Sequence, residues 1–183
     1  MSSDRNTFYK LVTVIYDTRE QKNEHIINAL SQRGIMTEKR KLDFGDYTFM
    51  ADGRDFSLSC VIERKANVDE LYNNFMTDGG SRIQKELYAS SLLSKDFTIL
   101  IEGVGSWEEL RAFRLSAKDM EGTKRQVSEI GVHVYNRLKA WSPENRYKFN
   151  VEFSAQKIYT VEKMLDIFYY YWHNYKDLTA ARR

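Results

Sequence analysis

Glu63-Arg64-Lys65, with Gly45-Asp46 upstream and Asp69 downstream, is a residue set suited to phosphodiester chemistry. In an extended strand side chains alternate between faces, so Glu63 and Lys65 share one side. Asp46 adds a carboxylate from the end of a preceding strand. Such a set can hold a divalent cation and place water beside a phosphate. Phosphodiester hydrolysis needs charge neutralised on the non-bridging and leaving oxygens, an activated water and in-line attack. Carboxylate-bound Mg²⁺ or Mn²⁺ meets much of that demand. Hard oxygen ligands suit these ions, and no Cys/His cluster competes for zinc. Asp46 and Glu63 are expected to be the metal ligands, and Lys65 to orient water or stabilise charge at the phosphate. Lysine ordinarily titrates near about pH 10.4, so service as a literal base would require a depressed pKa.

The flanking residues are open to two readings each. Asp69 falls in the first turn of a helix, where the dipole favours a carboxylate, and it is also spaced to support the site. Arg64 faces away from Glu63 and Lys65, either to pair with a carboxylate beneath the site or to lie on the surface. Asp17-Thr18-Arg19-Glu20 follows an apolar strand, a position that carries function in α/β sheets and that also suits helix initiation. Lys39-Arg40-Lys41 is either a solvated strand face or a phosphate-contacting run leading towards Asp46.

These residues need a frame. Leu11 to Tyr16 is a β-branched apolar run that predicts a buried strand. Ile26, Ile27 and Leu30 mark a helix, with Gly34 as its stop. A strand ending near Leu42 and another over Tyr47 to Met50 follow, and Asp52-Gly53 is a hairpin turn signal. Phe56 to Lys65 reads as the strand carrying the triplet. Asn67 with Glu70 forms a variant capping box for the next helix. Asp78-Gly79-Gly80 interrupts the helical pattern, which restarts near Ser81 and runs to Leu93. Phe97 to Ile101 is a buried strand. Val127, Ile130, Val134, Leu138 and Trp141 form a helical stripe, ended by Ser142-Pro143. Phe149, Val151 and Phe153 alternate as a strand. Val161, Leu165, Phe168, Trp172 and Tyr175 define the last helix. The expected fold is one α/β domain, a mixed central sheet flanked by helices, over residues 10–183. Residues 1–9 are expected to be a flexible lead.

The 183 residues suffice for one full core. Lys plus Arg is 28 against Asp plus Glu 26, so any nucleic-acid surface must be a local patch. Cys60 is the single cysteine, which excludes an internal disulfide and a four-cysteine zinc site. The polar start is no signal peptide, and no apolar run reaches the roughly 20 residues of a membrane helix. A reducing compartment is expected: the cytoplasm for a bacterial or viral protein, the nucleus for a eukaryotic one. His25, His133 and His173 have no ligand spacing and read as surface or packing residues.

Asp17-Thr18-Arg19-Glu20, Gly45-Asp46-Tyr47 and Glu63-Arg64-Lys65 with Asp69 occur in that order at strand ends. Together they resemble the XPF/Hef-type structure-specific endonucleases, of the restriction-endonuclease-like PD-(D/E)XK group. That family carries V-x-D-x-R-E, then G-D-Y, then E-R-K-x(3)-D. The resemblance covers about the first 105 residues well, ending in Ile101-Glu102-Gly103. It implies a restriction-endonuclease-like fold and a Mg²⁺- or Mn²⁺-dependent endonuclease acting on branched, flap or fork DNA in repair or recombination. It supports Asp46 and Glu63 as metal ligands and Lys65 as catalytic. Asp17, Arg19, Glu20, Arg64 and Asp69 become active-site supports. The family's D-G-R segment corresponds to a longer Asp78-Gly79-Gly80-Ser81-Arg82 here, which makes Arg82 a DNA-contact candidate with Arg64 and Lys41.

The tandem helix-hairpin-helix module common in that family is expected to be missing, and branch selectivity is then expected to be weaker or to come from a partner or a dimer. The family's nuclease domains pair through their C-terminal strand and helices. Phe168 and Trp172 read as core, while Tyr169, Tyr170 and Tyr171 widen the apolar surface, as a homodimer interface would or as base-stacking tyrosines would. Two other functions compete: a sequence-specific or non-specific nuclease of the same fold, and a non-catalytic DNA-binding or scaffold subunit. The intact acidic set argues against the last.

Overall fold

In the structure, a computed structural model, residues 3–76, 80–93, 96–123, 128–141 and 146–180 are described. The chain runs α1 (Ser3–Leu11), β1 (Val12–Tyr16), α2 (Glu24–Gln32), β2 (Met36–Lys39), β3 (Tyr47–Ala51), β4 (Arg54–Asp55) and β5 (Cys60–Lys65). It continues through α3 (Val68–Met76), α4 (Ser81–Leu93), β6 (Asp96–Glu102), α5 (Trp107–Ala112), α6 (Ala117–Thr123), α7 (Ile130–Trp141), β7 (Asn150–Ser154) and α8 (Thr160–Ala180). The sheet order is β2-β1-β3-β5-β6-β7, with β4 paired to β3. The β1–β2, β5–β6 and β6–β7 pairs are parallel, whereas β3 is antiparallel to both β1 and β5. The mixed central sheet flanked by helices is thus present. No helix among the described residues is long and apolar enough to cross a membrane.

Both faces of the sheet are covered over its inner strands, so β1 and β6 read as near-continuous apolar runs, whereas the edge strands β2 and β7 do not. One core holds Phe8, Ile26, Phe49 and Phe168 from α1, α2, β3 and α8. The other holds Val61, Leu71, Leu87, Ile99 and Val134 from β5, α3, α4, β6 and α7. Asp52 and Gly53 both have positive φ (53° and 70°) at the β3–β4 hairpin, as the turn signal requires.

Several expectations are corrected. Within the segment expected to be a flexible lead, residues 3–9 are helical, and helix α1 buries Phe8 completely. Phe8 packs on Tyr169 with ring centroids 5.7 Å apart, so Tyr169 is buried by its own chain and only Tyr170 of the three tyrosines is fully exposed. The triplet strand starts at Cys60, not Phe56, because the N–H groups of Ser59 and Cys60 turn back onto the Phe56 carbonyl. Helices α5 and α6 were not anticipated. The α5 signal was present, since Ser106 Oγ accepts from Glu109 N–H and Glu109 Oε2 accepts from Gly105 N–H. Asp78-Gly79, Val127 and Ser142-Pro143 lie outside the described residues.

Candidate active site

Strand register gathers the motifs at one end of the sheet. Tyr47, the first residue of β3, pairs with Tyr16, the last of β1, and with Ile62 of β5. The residues beside that row are therefore Asp17, Asp46 and Glu63. Two bonds lock the junction: Asp17 N–H donates to the Asp46 carbonyl and Asp46 N–H to the Ile62 carbonyl, both at 2.8 Å. Gly45 makes the bend. Its φ is +71°, and a Cβ there would lie 2.3 Å from Val61 Cγ1, so glycine alone satisfies both the turn and the close approach.

A cleft of about 430 Å³ opens at this junction, bordered by Asp46, Glu63, Lys65, Arg19, Arg82 and Glu86, among others. Glu63 and Lys65 share a face as expected, and Lys65 Nζ donates to Glu63 Oε1 at 2.6 Å. Burial alone would lower the lysine pKa, but the Glu63 carboxylate, with Asp46 and Glu70, outweighs it and the pKa rises. The pairing with Glu63 thus favours the protonated form of Lys65. The Asp46 pKa rises too, but here burial is the leading cause and repulsion by Glu63 the second, and together they lift it well above the carboxylate range. Its Oδ2 accepts from Arg64 N–H at 2.7 Å.

Arg64 points beneath the site. Its Nε and Nη2 donate to both oxygens of Glu102 at 3.0 Å, and Nη1 donates to Glu20 at 3.1 Å. Only 4% exposed, it is spent on these carboxylates, which corrects its expected place as a DNA contact. Glu102 is fully buried and also accepts from Thr160 Oγ1 at 2.7 Å and pairs with His25 Nε2 at 3.1 Å. Burial would raise the Glu102 pKa, but the Arg64 and Thr160 bonds hold it below the ordinary glutamate value. Arg64 thus ties β5 to β6 and to the loop after β1, and Glu102 extends the link to α2 through His25 and to α8 through Thr160.

Asp17 is a bracket. Its buried carboxylate accepts from Arg19 Nε (2.6 Å) and Arg19 N–H (2.7 Å), and from Leu42 N–H (2.6 Å). Burial pushes its pKa up, but these bonds prevail and lower it. Arg19 is thereby held at the rim of the cleft with its side chain half exposed. Glu20 also borders the cleft, its pKa raised by burial despite Arg64.

Asp69 does not join Asp46 and Glu63. It borders a second, adjoining hollow and accepts from Asn73 at 3.4 Å. Glu70 reaches the cleft instead. It also forms the anticipated cap: Asn67 Oδ1 accepts from Glu70 N–H, and Glu70 Oε2 accepts from Ala66 N–H. Arg82 is at the cleft mouth, largely exposed and 3.7 Å from Glu86. Lys41 is exposed and borders neither hollow.

Sequence reasoning missed Glu86, Glu70 and Glu102 as site residues. Glu86 enters from α4, and burial together with repulsion by Glu63 raises its pKa. Its only sequence signal was the i, i+4 spacing from Arg82. Three cleft carboxyls, Asp46, Glu86 and Glu20, thus carry raised pKa values. Desolvated carboxylates in mutual repulsion are what a bound cation relieves. Among the described residues no three His, Cys, Asp or Glu close a metal cage. An open pair, Asp46 and Glu63, suits Mg²⁺, which keeps waters and binds through one or two carboxylates plus substrate phosphate.

Comparison with known proteins gives a consistent pattern. The family described as the ERCC4 domain matches residues 16–136. A curated protein, "Probable crossover junction endonuclease mus81" of Dictyostelium discoideum, is 33% identical over 105 residues, 54% of this chain and 11% of that protein. The chain thus spans about a ninth of that relative's length. The solved structure "XPF from Aeropyrum pernix" aligns with a TM-score of 0.57 at 15% identity, covering 85% of this chain and 64% of that one. Its complex with DNA aligns with a TM-score of 0.56 at 15% identity, covering 93% and 66%. At that identity the likeness is one of fold.

Proposed function

The chain belongs to the ERCC4-domain family and has an XPF-type nuclease domain, and from that premise we propose that it is a metal-dependent endonuclease hydrolysing phosphodiester bonds of branched, flap or fork DNA. The observation that carries this reading is the convergence of Asp46, Glu63 and Lys65 in one cleft. The fold neighbour solved with DNA and the mus81 relative support the substrate class.

Asp46 and Glu63 would hold Mg²⁺ or Mn²⁺. When bound, the ion supplies neutralisation of phosphate charge and a lowered pKa for attacking water. The chain's own residues do the rest. Lys65, protonated and anchored on Glu63, donates towards the phosphate as negative charge develops. Arg19 and Arg82 stand at the cleft margins to receive flanking phosphates. Arg64 keeps Asp46 oriented through its main-chain N–H. Water oxygen bonds to phosphorus, the P–O3′ bond breaks, and the 3′ oxygen takes a proton, leaving a 5′-phosphate and a 3′-hydroxyl.

A homodimer through the C-terminal strand and helices belongs to the same reading. It is supported by β7, which among the described residues forms a sheet edge beside β6, and by exposed Tyr170 on α8.

The test is incubation of the protein with labelled flap, fork, four-way and linear DNAs plus Mn²⁺. Cutting of branched substrates that is lost in Glu63→Ala and Lys65→Ala supports the proposal. No cutting, or equal cutting by both variants, sinks it. Discrete bands from linear duplex would favour a sequence-specific nuclease of this fold.

A further inference from the structure

Beside the catalytic cleft lies a second hollow of about 660 Å³. The two share Arg19, Glu20, Arg64, Glu70 and Asn74 as a common wall. A chain with one phosphate at Asp46, Glu63 and Lys65 would therefore run on into this hollow. Its lining differs from that of the cleft. Gln21 and Lys22 come from the loop after β1, Asn67, Asn73 and Asn74 from the start and body of α3, and Lys157 from the 3-10 turn Lys157–Tyr159 before α8. Strand order brings these distant segments to one end of the sheet.

Two features define the ligand. Lys22 and Lys157 are exposed and, among the described residues, neither has an acidic partner within 4.0 Å. They are cations available to phosphate. The amides are the second feature. Asn67 Oδ1 is engaged by Glu70 N–H, which leaves its NH₂ for a ligand. Asn and Gln offer both donors and acceptors, which match base edges. Pairing in a duplex occupies those edges, and an unpaired strand presents them. Next to Lys157, on the same turn, Ile158 is 68% and Tyr159 48% exposed. Glu20, Asp69 and Glu70 also line the hollow, so its charge is mixed and the phosphate-binding share falls to the lysines; an exposed aromatic beside such lysines is the combination on which unpaired bases stack.

We propose that this hollow seats an unpaired DNA strand adjoining the scissile phosphate, gripped by Lys22 and Lys157 and stacked on Tyr159. This rests on the nuclease reading above and assigns Lys22, Lys157 and Tyr159 to the unpaired arm.

The experiment is fluorescence anisotropy in EDTA, where no cleavage occurs, with labelled single-stranded, fork and linear duplex DNA. The wild type is compared with Lys22→Ala/Lys157→Ala and with Tyr159→Ala, each checked by a thermal melt. The double variant should weaken single-strand and fork binding about tenfold. It should also reduce the slope of log affinity against log salt by about 1.4, since each single-strand phosphate contact contributes about 0.7. Linear duplex binding should change less than about twofold. Tyr159→Ala should cost about fivefold or more on the unpaired arm alone. Equal loss on duplex and fork would assign the lysines to a duplex backbone and overturn the proposal, as would no loss at all. With Mn²⁺ added, undiminished fork preference in the double variant sinks the subsite and leaves the nuclease standing. A wild type that prefers single strands but cuts nothing does the reverse.

Discussion

The main-chain N–H of Arg64 donates to Asp46 Oδ2 at 2.7 Å, so the strand that carries Glu63 and Lys65 also aims the carboxylate contributed by the preceding turn. The two parts of the site are built as one piece, and that piece is electrostatically strained.

Asp46→Asn should make the cation-free protein more stable while abolishing cleavage. The Asp46 pKa is raised in the folded state by burial and by Glu63. The native state then holds this proton more tightly than the unfolded chain does, and stability falls as pH rises above the ordinary aspartate value of about 3.9. The penalty is complete above the folded pKa and absent well below about pH 3.9. Thermal melts from pH 4 to 8 should show the variant gaining over wild type as pH rises. Millimolar Mg²⁺ should raise the wild-type Tm and leave the variant unmoved. A variant less stable than wild type at pH 8 would contradict this.

Lys65→Ala should move cation affinity and turnover in opposite directions. Lys65 Nζ neutralises Glu63 at 2.6 Å, so its removal leaves Glu63 freer to bind a cation. Mn²⁺ titration should show tighter binding, while the cleavage rate falls about 10²-fold or more for loss of a donor to developing charge. Unchanged turnover would remove Lys65 from the mechanism.

Arg64→Ala strands Glu102, a fully buried carboxylate. Breaking such a pair costs about 3–5 kcal/mol, readable by urea denaturation. Arg64→Ala/Glu102→Ala should recover part of that loss. The Glu102 pKa is held low by its bonds despite burial. Its contribution is therefore present above the ordinary glutamate value of about 4.3 and is lost as pH falls through the lowered folded value. The deficit of Arg64→Ala relative to wild type should shrink in acid.

Gly45→Ala should disrupt both stability and activity. Positive φ and a 2.3 Å approach to Val61 Cγ1 coincide at this residue, so the cost should exceed about 1 kcal/mol. Because Asp46 follows directly, cleavage should fall further than the stability loss alone explains. Wild-type activity in this variant would show that Asp46 tolerates movement.

Much of the candidate site was legible locally. Strand alternation alone places Glu63 and Lys65 on one face and Arg64 on the other, and the structure shows the Lys65–Glu63 bond and the Arg64–Glu102 pair on those faces. The same logic failed for Asp69. A helix changes direction by a fraction of a turn per residue, and it was Glu70 that came round to the cleft. Residues 1–9 read as a lead in the sequence because the segment is largely polar, and the contacts that hold α1, Phe8 on Tyr169 and Trp172 and Arg5 with Asp166, join opposite ends of the chain.

Residue types and their order therefore determined the family likeness, the strands that carry its motifs and the turn at Gly45. Which carboxylates face the cleft, which arginine is buried and which is free, and which lysines line the adjoining hollow were decided only in the tertiary structure. The physical reason is that alternation and capping act over a few residues, whereas Glu86, Glu102 and Lys157 reach the site through sheet order and helix packing, where sequence distance carries no information.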